Sequence, residues 1–208
     1  MFYPIYLNLK GKRVVVIGGG EVAERKIESL LDTDASINVI SPEVTARILK
    51  LASERRVELD RRLYRDGDCS GATLVLSATD DDATNRSVFE EARKAGALVN
   101  TADQPALCDF IMPAVVRRGD IAIAISTSGT SPGLAARLRQ KIARLIGPEY
   151  GHLAQLLSEA RPLIRRRIPE QADRKELQYR ILDSDIMSYL RNNDIAGAER
   201  RLREFIES

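Results

Sequence analysis

A single histidine, His152, stands in the 208 residues, which removes a histidine-rich metal centre from consideration within one chain. Cysteine is almost as scarce. Cys69 and Cys108 have no CxxC spacing and fit reduced thiols better than a disulfide scaffold. No apolar run approaches the roughly 20 residues needed to cross a bilayer. The opening Met1-Phe-Tyr-Pro-Ile5 lacks the basic start and long apolar core of a signal peptide. A cytoplasmic location with no membrane partner is therefore expected. Neither sign of charge dominates: 32 Lys+Arg against 30 Asp+Glu give a formal +2, so nothing marks a nucleic-acid binder. What is present, 44% hydrophobic and 30% charged residues, is the make-up of a globular chain that buries a core. The length suits one compact domain or two small ones.

Charge is uneven along the chain. Residues 1–112 carry a net −3, residues 113–147 a net +5, and residues 148–208 balance. An anionic partner is expected to meet the short basic segment. Those boundaries coincide with changes of texture and divide the chain into a first domain (1–112), a middle region (113–147) and a C-terminal region (148–208).

In the first segment, strand and helix patterns alternate. Arg13–Ile17 is a β-branched run bounded by Gly18-Gly-Gly20, as expected of a buried parallel strand. Helical spacing follows from Glu21 to Leu31. Further strands are predicted at Ile37–Ile40, Val57–Leu63, Thr73–Ala78 and Ala97–Asn100, with helices near Glu43–Glu54 and Asn85–Ala95. This alternation predicts an α/β fold with a Rossmann-type doubly wound parallel sheet. After Pro113, residues 114–118 and 121–126 read as two strands around Gly119-Asp120. A polar loop then leads into a helix that Gly147-Pro148 stops. The remaining residues have helical periodicity, broken near Pro169 and Asn192-Asn193.

The first chemical signal is Gly18-Gly19-Gly20-Glu21-Val22-Ala23, a GxGxxA pattern after a strand and at the start of a helix. The first glycine permits a tight turn, Gly20 lets backbone approach a pyrophosphate, and small Ala23 keeps helix and strand close. The helix N-terminus would hold the anion. A glycine-rich turn without a ligand is the plain alternative. The acid that ordinarily ends the second strand and binds the ribose is missing. Val39-Ile40-Ser41-Pro42-Glu43 stands there, leaving Ser41 or Glu43 to reach the ribose, and no arginine lies close enough in sequence to advertise a 2′-phosphate. NAD is the expected cofactor. The run Thr79-Asp-Asp-Asp82 lies at the same sheet edge, where capping is its main reading and Thr79 is a further cofactor contact.

Asp103 follows the fifth strand. A carboxylate beside a nicotinamide is a candidate general base; an ordinary turn residue ahead of Pro105 is the alternative. The loop Ser126-Thr127-Ser128-Gly-Thr130-Ser131 resembles an anion cradle at a helix start, with Ser131 as N-cap and Pro132 at N1, and equally a well-capped interface helix. His152, the arginines 165–167 and the cysteines carry little weight individually.

Together and in order, Gly18-Gly-Gly-Glu-Val-Ala-Glu-Arg-Lys26, Ala78-Thr-Asp-Asp-Asp82, Asn100-x-x-Asp103, Phe110-Ile-Met-Pro113 and Thr130-Ser-Pro132 resemble the precorrin-2 dehydrogenase and sirohydrochlorin ferrochelatase family, the N-terminal module of siroheme synthases and its stand-alone relatives. The resemblance implies a Rossmann domain, a dimerisation region at 113–147, a helical C-terminal domain and a homodimer. It implies oxidation of precorrin-2 to sirohydrochlorin with NAD⁺, followed in some members by insertion of Fe²⁺, which is a substrate and not a resident metal. Asp103 matches the family's key aspartate. Glu21-Val22 and Pro42-Glu43 match cofactor-contacting pairs, and the loop hydroxyls of Ser126, Thr127, Ser128 and Thr130 are the candidates to receive the substrate's carboxylates. In some members a serine of that loop is phosphorylated; the matching residue here is Thr127, and Ser128 replaces a glycine. With no methyltransferase motif after Ser208, the preceding methylation is expected on another protein. Two rivals remain: an NAD-sensing regulatory module without catalysis, and a chelatase-only or carrier relative independent of NAD⁺.

Overall fold

The computed structural model describes residues 2–207. The chain divides into two compact units, one up to Met112 and one from Pro113 onward.

The first unit is built on a five-stranded sheet of order β3-β2-β1-β4-β5. Its strands are β1 (Arg13–Ile17), β2 (Ser36–Ile40), β3 (Glu58–Asp60), β4 (Leu74–Ser77) and β5 (Leu98–Thr101). Every pairing is parallel, with Val15 opposite both Asn38 and Val75. Three helices connect them: α1 (Glu21–Glu28), α2 (Ala46–Ser53) and α3 (Asp82–Lys94). The period-2 alternation of β1 sends its side chains to two different cores. Val14 and Val16 join Ala23 and Ile27 of α1 and Ile48 and Leu51 of α2. Val15 and Ile17 join Val88 and Ala92 of α3. A strand covered on both faces must be apolar throughout, which is why β1 reads as an unbroken run and not as an alternating one. The expected doubly wound α/β sheet is thus present.

Helix ends depart from the sequence reading. α1 stops at Glu28, not Leu31, because residues beyond it turn; Leu30 is buried all the same. α2 starts at Ala46, capped by the Thr45 hydroxyl, which accepts from the Ile48 N–H, so residues 41–45 are loop. α3 starts earlier than expected, at Asp82, because Asp81 is its N-cap.

The second unit begins with the antiparallel hairpin β6 (Ala114–Arg118) and β7 (Ile121–Ile125), turned at Gly119 with φ +56°. Helices α4 (Pro132–Leu145), α5 (Pro148–Arg167), α6 (Gln171–Leu182), α7 (Ile186–Arg191) and α8 (Ile195–Glu207) follow. Ser131 caps α4 with Pro132 at its first turn, as the sequence predicts. The Arg118 guanidinium closes the other end of α4, donating to the carbonyls of Ala143 and Ile146 at 2.8 and 2.9 Å. α5 to α8 enclose their own core of Leu153, Leu156, Ile164, Leu177, Ile181, Ile186, Leu190, Leu202 and Ile206. The breaks fall at Ile168–Glu170 and at Asn192–Asp194, as expected. A further break at Asp183–Asp185 has neither proline nor glycine to announce it. No helix among the described residues is long and apolar enough to cross a membrane.

Leu76, fully buried in the interior strand β4, is expected to cost about 2–5 kcal/mol on truncation to alanine. Chemical denaturation monitored by circular dichroism measures it, as a fall in midpoint at unchanged slope.

Candidate functional site

Strand order reverses between β1 and β4, so the connections leaving these two strands diverge and open a crevice at the carboxyl edge. The three glycines sit there and do different jobs. Gly18 has φ +113°, and a Cβ built on it would lie 2.2 Å from the Ala78 carbonyl oxygen, so the chain leaving β1 presses against the chain leaving β4. A Cβ on Gly19 would lie 2.2 Å from the Glu43 carbonyl oxygen and 2.9 Å from the Ser41 hydroxyl. Two backbone bonds brace the corner: Gly18 N–H to the Ile40 carbonyl (3.0 Å) and Thr45 N–H to the Gly19 carbonyl (3.0 Å). Gly20, in contrast, faces open space, with nothing within 4 Å of a Cβ. It is the N-cap of α1 and supplies no side-chain cap. The first-turn N–H groups of α1, including those of Glu21 and Val22, therefore keep their capacity for an anion. A dinucleotide fits this corner on that observation.

The ribose end differs from its sequence reading in one respect. Ser41 is buried, and its hydroxyl donates to the Glu43 carbonyl at 2.6 Å, which shapes the Ser41-Pro42-Glu43 turn. Pro42 and Glu43 are exposed. No arginine is expected at this turn, yet Arg61, just past β3, donates to the Pro42 carbonyl at 3.4 Å. Parallel pairing of β2 with β3 brings it there, across a separation that hides it from a local reading.

At the exit of β4, buried Asn85 organises the turn. Its Oδ1 accepts from the hydroxyls of Ser77 (2.7 Å) and Thr79 (2.9 Å), and its amide nitrogen donates to the Thr79 carbonyl (3.0 Å). Asp81 takes the Thr84 N–H and hydroxyl, and these bonds hold its carboxyl below the usual carboxylate range. Capping thus accounts for Asp81, whereas Asp82, first in α3, accepts from the Gln104 side-chain amide next to Asp103.

Asp103 lies in the loop after β5, exposed and in the left-handed region at φ +56°. Aspartate tolerates that conformation better than most residues. The loop is closed at its base by a bridge between Asn100 and Cys108. The Cys108 thiol contacts the Thr101 and Gln104 carbonyls at 3.2 and 3.3 Å. The Asn100 amide nitrogen donates to the Phe110 carbonyl at 2.9 Å. The Asn100 side-chain oxygen takes the Lys26 ammonium, which arrives from α1. Thr101, the last residue of β5, buries a hydroxyl oxygen with no partner among the described residues. Sequence reasoning counted Asn100 and Lys26 only as motif letters; their contact, across 74 positions, carried no local signal.

In the second unit, two hydroxyls of the loop before α4 donate within the loop. Thr127 donates to the Ser131 carbonyl (3.0 Å), and Thr130 donates to the Thr127 carbonyl (2.6 Å). Ser126 and Ser128 are exposed, and Ser126 accepts the Ser128 N–H at 2.9 Å. Ser128 has φ +54° and Gly129 φ +83°. The glycine that Ser128 replaces would suit this backbone without strain.

Residues 5–114 match the family model described as putative NAD(P)-binding. The chain belongs to this NAD(P)-binding family. Residues 118–145 match the central region of a sirohaem biosynthesis protein, and residues 149–206 match the sirohaem synthase dimerisation region. That label falls on the helical segment, whereas the sequence reading put the interface at 113–147. The chain is similar to the siroheme synthase of Pseudoalteromonas translucida, 37% identical over 207 residues, and to that of Methylococcus capsulatus, 38% identical over 203 residues. These alignments span 100% and 98% of the chain but 44% and 43% of the relatives, so the chain spans less than half their length. It is also similar to the solved structure of SirC, a precorrin-2 dehydrogenase, with a TM-score of 0.78 and 29% identity, covering 98% of this chain and 100% of that one. The family resemblance expected from the motifs is thereby borne out, and so is an NAD cofactor.

The glycine corner makes a contrast that can be measured. Gly20→Ala meets no neighbouring atom, so its melting temperature should stay within 1–2 °C of wild type while NAD⁺ affinity, read by calorimetric titration, falls about tenfold or more as the methyl fills the anion's approach. Gly18→Ala should instead lower stability itself, because its methyl has nowhere to go.

Proposed function

We propose that this chain oxidises precorrin-2 to sirohydrochlorin, with NAD⁺ as co-substrate, in sirohaem formation. The observation that carries the reading is the exposed carboxylate of Asp103 at the same sheet edge as the open Gly20 corner. β5 lies two strands from β1, roughly 10 Å at about 4.8 Å per strand. The similarity to SirC over that protein's whole length supports the same reading.

The backbone of Gly18, Gly19, Gly20, Glu21 and Val22 would hold the pyrophosphate, and Ser41, Pro42 and Glu43 the ribose, with Thr79 at the exit of β4. When bound, NAD⁺ supplies the acceptor for the hydride that leaves the substrate. The oxidation removes two hydrogens: one departs as hydride and the other as a proton, which Asp103 takes at a carboxylate oxygen. The balance is precorrin-2 plus NAD⁺ giving sirohydrochlorin, NADH and a proton.

The substrate is a tetrapyrrole rich in carboxylates. The basic 113–147 segment suits it, with Ser126, Thr127, Ser128 and Thr130 as candidate contacts. Because Thr127 and Thr130 donate within their own loop, Ser126 and Ser128 are the better hydroxyl donors to a carboxylate. A homodimer is part of the proposal. α4 exposes Leu134, Leu138 and Leu145, an unmatched apolar stripe suited to a second copy. The division into 1–112, 113–147 and 148–208 is part of the proposal, with the dimerisation-region match falling on its last part. The relatives' name, siroheme synthase, favours a second activity: Fe²⁺ insertion into sirohydrochlorin, with iron as substrate and Asp103 accepting pyrrole protons.

Asp103→Ala is expected to abolish the rise in NADH absorbance from precorrin-2 and NAD⁺ while NAD⁺ binding by calorimetry stays within about twofold, since general-base removal typically costs 10²–10⁴-fold. Turnover preserved in that variant would discard the assignment. A wild-type protein that binds NAD⁺ but forms no NADH would favour the regulatory module, and Fe²⁺ added after oxidation tests the chelatase by the appearance of the siroheme spectrum.

A further inference from the structure

Lys26, whose charge interacts with that of Asp103, is left without a task by the reading above. It sits in the second turn of α1 with its side chain half-buried. Lysine is almost never withdrawn from water unless something compensates the ammonium. The direct partners here are uncharged: the side-chain oxygen of Asn100 and, at 3.8 Å, the sulfur of Met112. Burial pushes the ammonium below the ordinary lysine range, with Arg25 in the same direction, while Cys108 and Asp103 oppose the shift. A solvated lysine in this place would be simple surface. A half-buried one, held by a neutral amide, carries a desolvation cost that calls for a return elsewhere.

That return lies in the Asn100 amide. An amide offers an acceptor at one end and donors at the other, and a cation on its oxygen fixes which end is which. With Lys26 on the oxygen, the nitrogen must face the Phe110 carbonyl at 2.9 Å, with the Cys108 sulfur at 3.6 Å. Those contacts tie the segment leaving the Asp103 loop back onto β5. Asp103 itself stands at positive φ, a conformation that persists only where the surroundings over-determine it. The Lys26 ammonium does two things at once. It locks the amide that closes the loop, and its charge interacts with the carboxylate that the loop displays.

We propose that Lys26 is a positioning residue for Asp103, acting through Asn100 on the aim of the carboxylate and contributing nothing to cofactor affinity. The inference rests on Asp103 being the group that acts on the substrate. It predicts a separation between two ends of one helix. The N-terminus of α1 serves the dinucleotide, and the second turn serves the proton acceptor.

The test compares Lys26→Met, which keeps the apolar stem and removes the charge, with Lys26→Arg, which keeps the charge, and with Asp103→Ala. Lys26→Gln serves as a second neutral variant should Lys26→Met fold poorly, because its amide still donates to Asn100. Each is assayed for NAD⁺ affinity by calorimetry and for kcat and KM with precorrin-2. The expected result is a fall in kcat of about 10²-fold for Lys26→Met, the scale on which a misplacement of about 1 Å acts. Lys26→Gln should lie between it and wild type. NAD⁺ affinity should stay within twofold in all, and Lys26→Arg should recover most of the rate. A wild-type kcat in the neutral variants, with Asp103→Ala inactive, would overturn the inference alone. So would a loss of rate matched by an equal loss of NAD⁺ affinity, or one that Lys26→Arg shares in full. Turnover retained by Asp103→Ala would overturn the reading beneath it, and the inference with it.

Discussion

The first unit depends on how closely two backbones approach where β1 and β4 end. At Gly18 a methyl group would sit 2.2 Å from the Ala78 carbonyl oxygen, so no other residue type lets these strands end side by side. From that contact, strand order reverses and the connections part. The crevice this leaves has the open Gly20 corner at one side and the Asp103 loop two strands away. Gly19 repeats the constraint against the Ser41–Glu43 turn. Two of the three glycines are therefore needed by the protein itself, and only the third is free to serve a ligand. The motif is a packing device before it is a binding device.

The same economy governs the polar residues. Ser41, Ser77, Thr79 and Asn85 look like ligand contacts, being polar groups at the carboxyl edge. In the structure their hydroxyl and amide groups build the turns that define that edge. Buried polar groups are seldom left unpaired, so a side chain that shapes a turn has less to offer a cofactor. Recognition then falls on backbone N–H groups that the turns hold in place, which suits an anion at a helix start. Asp103 differs in kind. It is exposed, and its carboxylate takes no hydrogen bond among the described residues, while the loop around it is tied by Asn100, Cys108 and Phe110. A rigid loop that displays an unengaged carboxylate suits proton transfer better than capping.

Much of this was readable in the sequence, and the reason is local. β1 announces itself because a strand covered on both faces needs every residue apolar, and the glycine corner does so because its constraints fall on consecutive residues. The Ser131 cap and Pro132 are adjacent for the same reason. Helix ends were less accurate. Whether residues 29–31 continue α1 or turn depends on neighbours that periodicity does not see, since Leu30 is buried either way. The contacts that escaped join distant segments: Arg61 to Pro42 across the β2–β3 pairing, and Lys26 to Asn100 from helix to strand. The break at Asp183–Asp185 has no proline or glycine; a serine marks it, the Ser184 hydroxyl donating to the Ile181 carbonyl at 2.7 Å and accepting the Ile186 N–H at 3.3 Å.

The distribution of charge fits a division of labour between the units. The sheet unit is net negative, yet its anion site needs no lysine or arginine, because the α1 N-terminus supplies partial positive charge from the backbone. The net positive 113–147 segment uses whole charges, and most of them lie along α4. One exception is instructive: Arg118 turns its guanidinium onto the last carbonyls of α4 and so helps to end that helix. Arg117, beside it on β6, is exposed, as are Arg137, Arg139, Lys141 and Arg144. A dinucleotide presents one compact diphosphate, for which a fixed dipole at short range is sufficient. A macrocycle with carboxylates around its rim presents many separated charges, and only a spread of mobile cations on long side chains can follow them. On the proposed reading, the dipole at the α1 N-terminus would meet the dinucleotide, and the spread cations of the basic segment would meet the macrocycle.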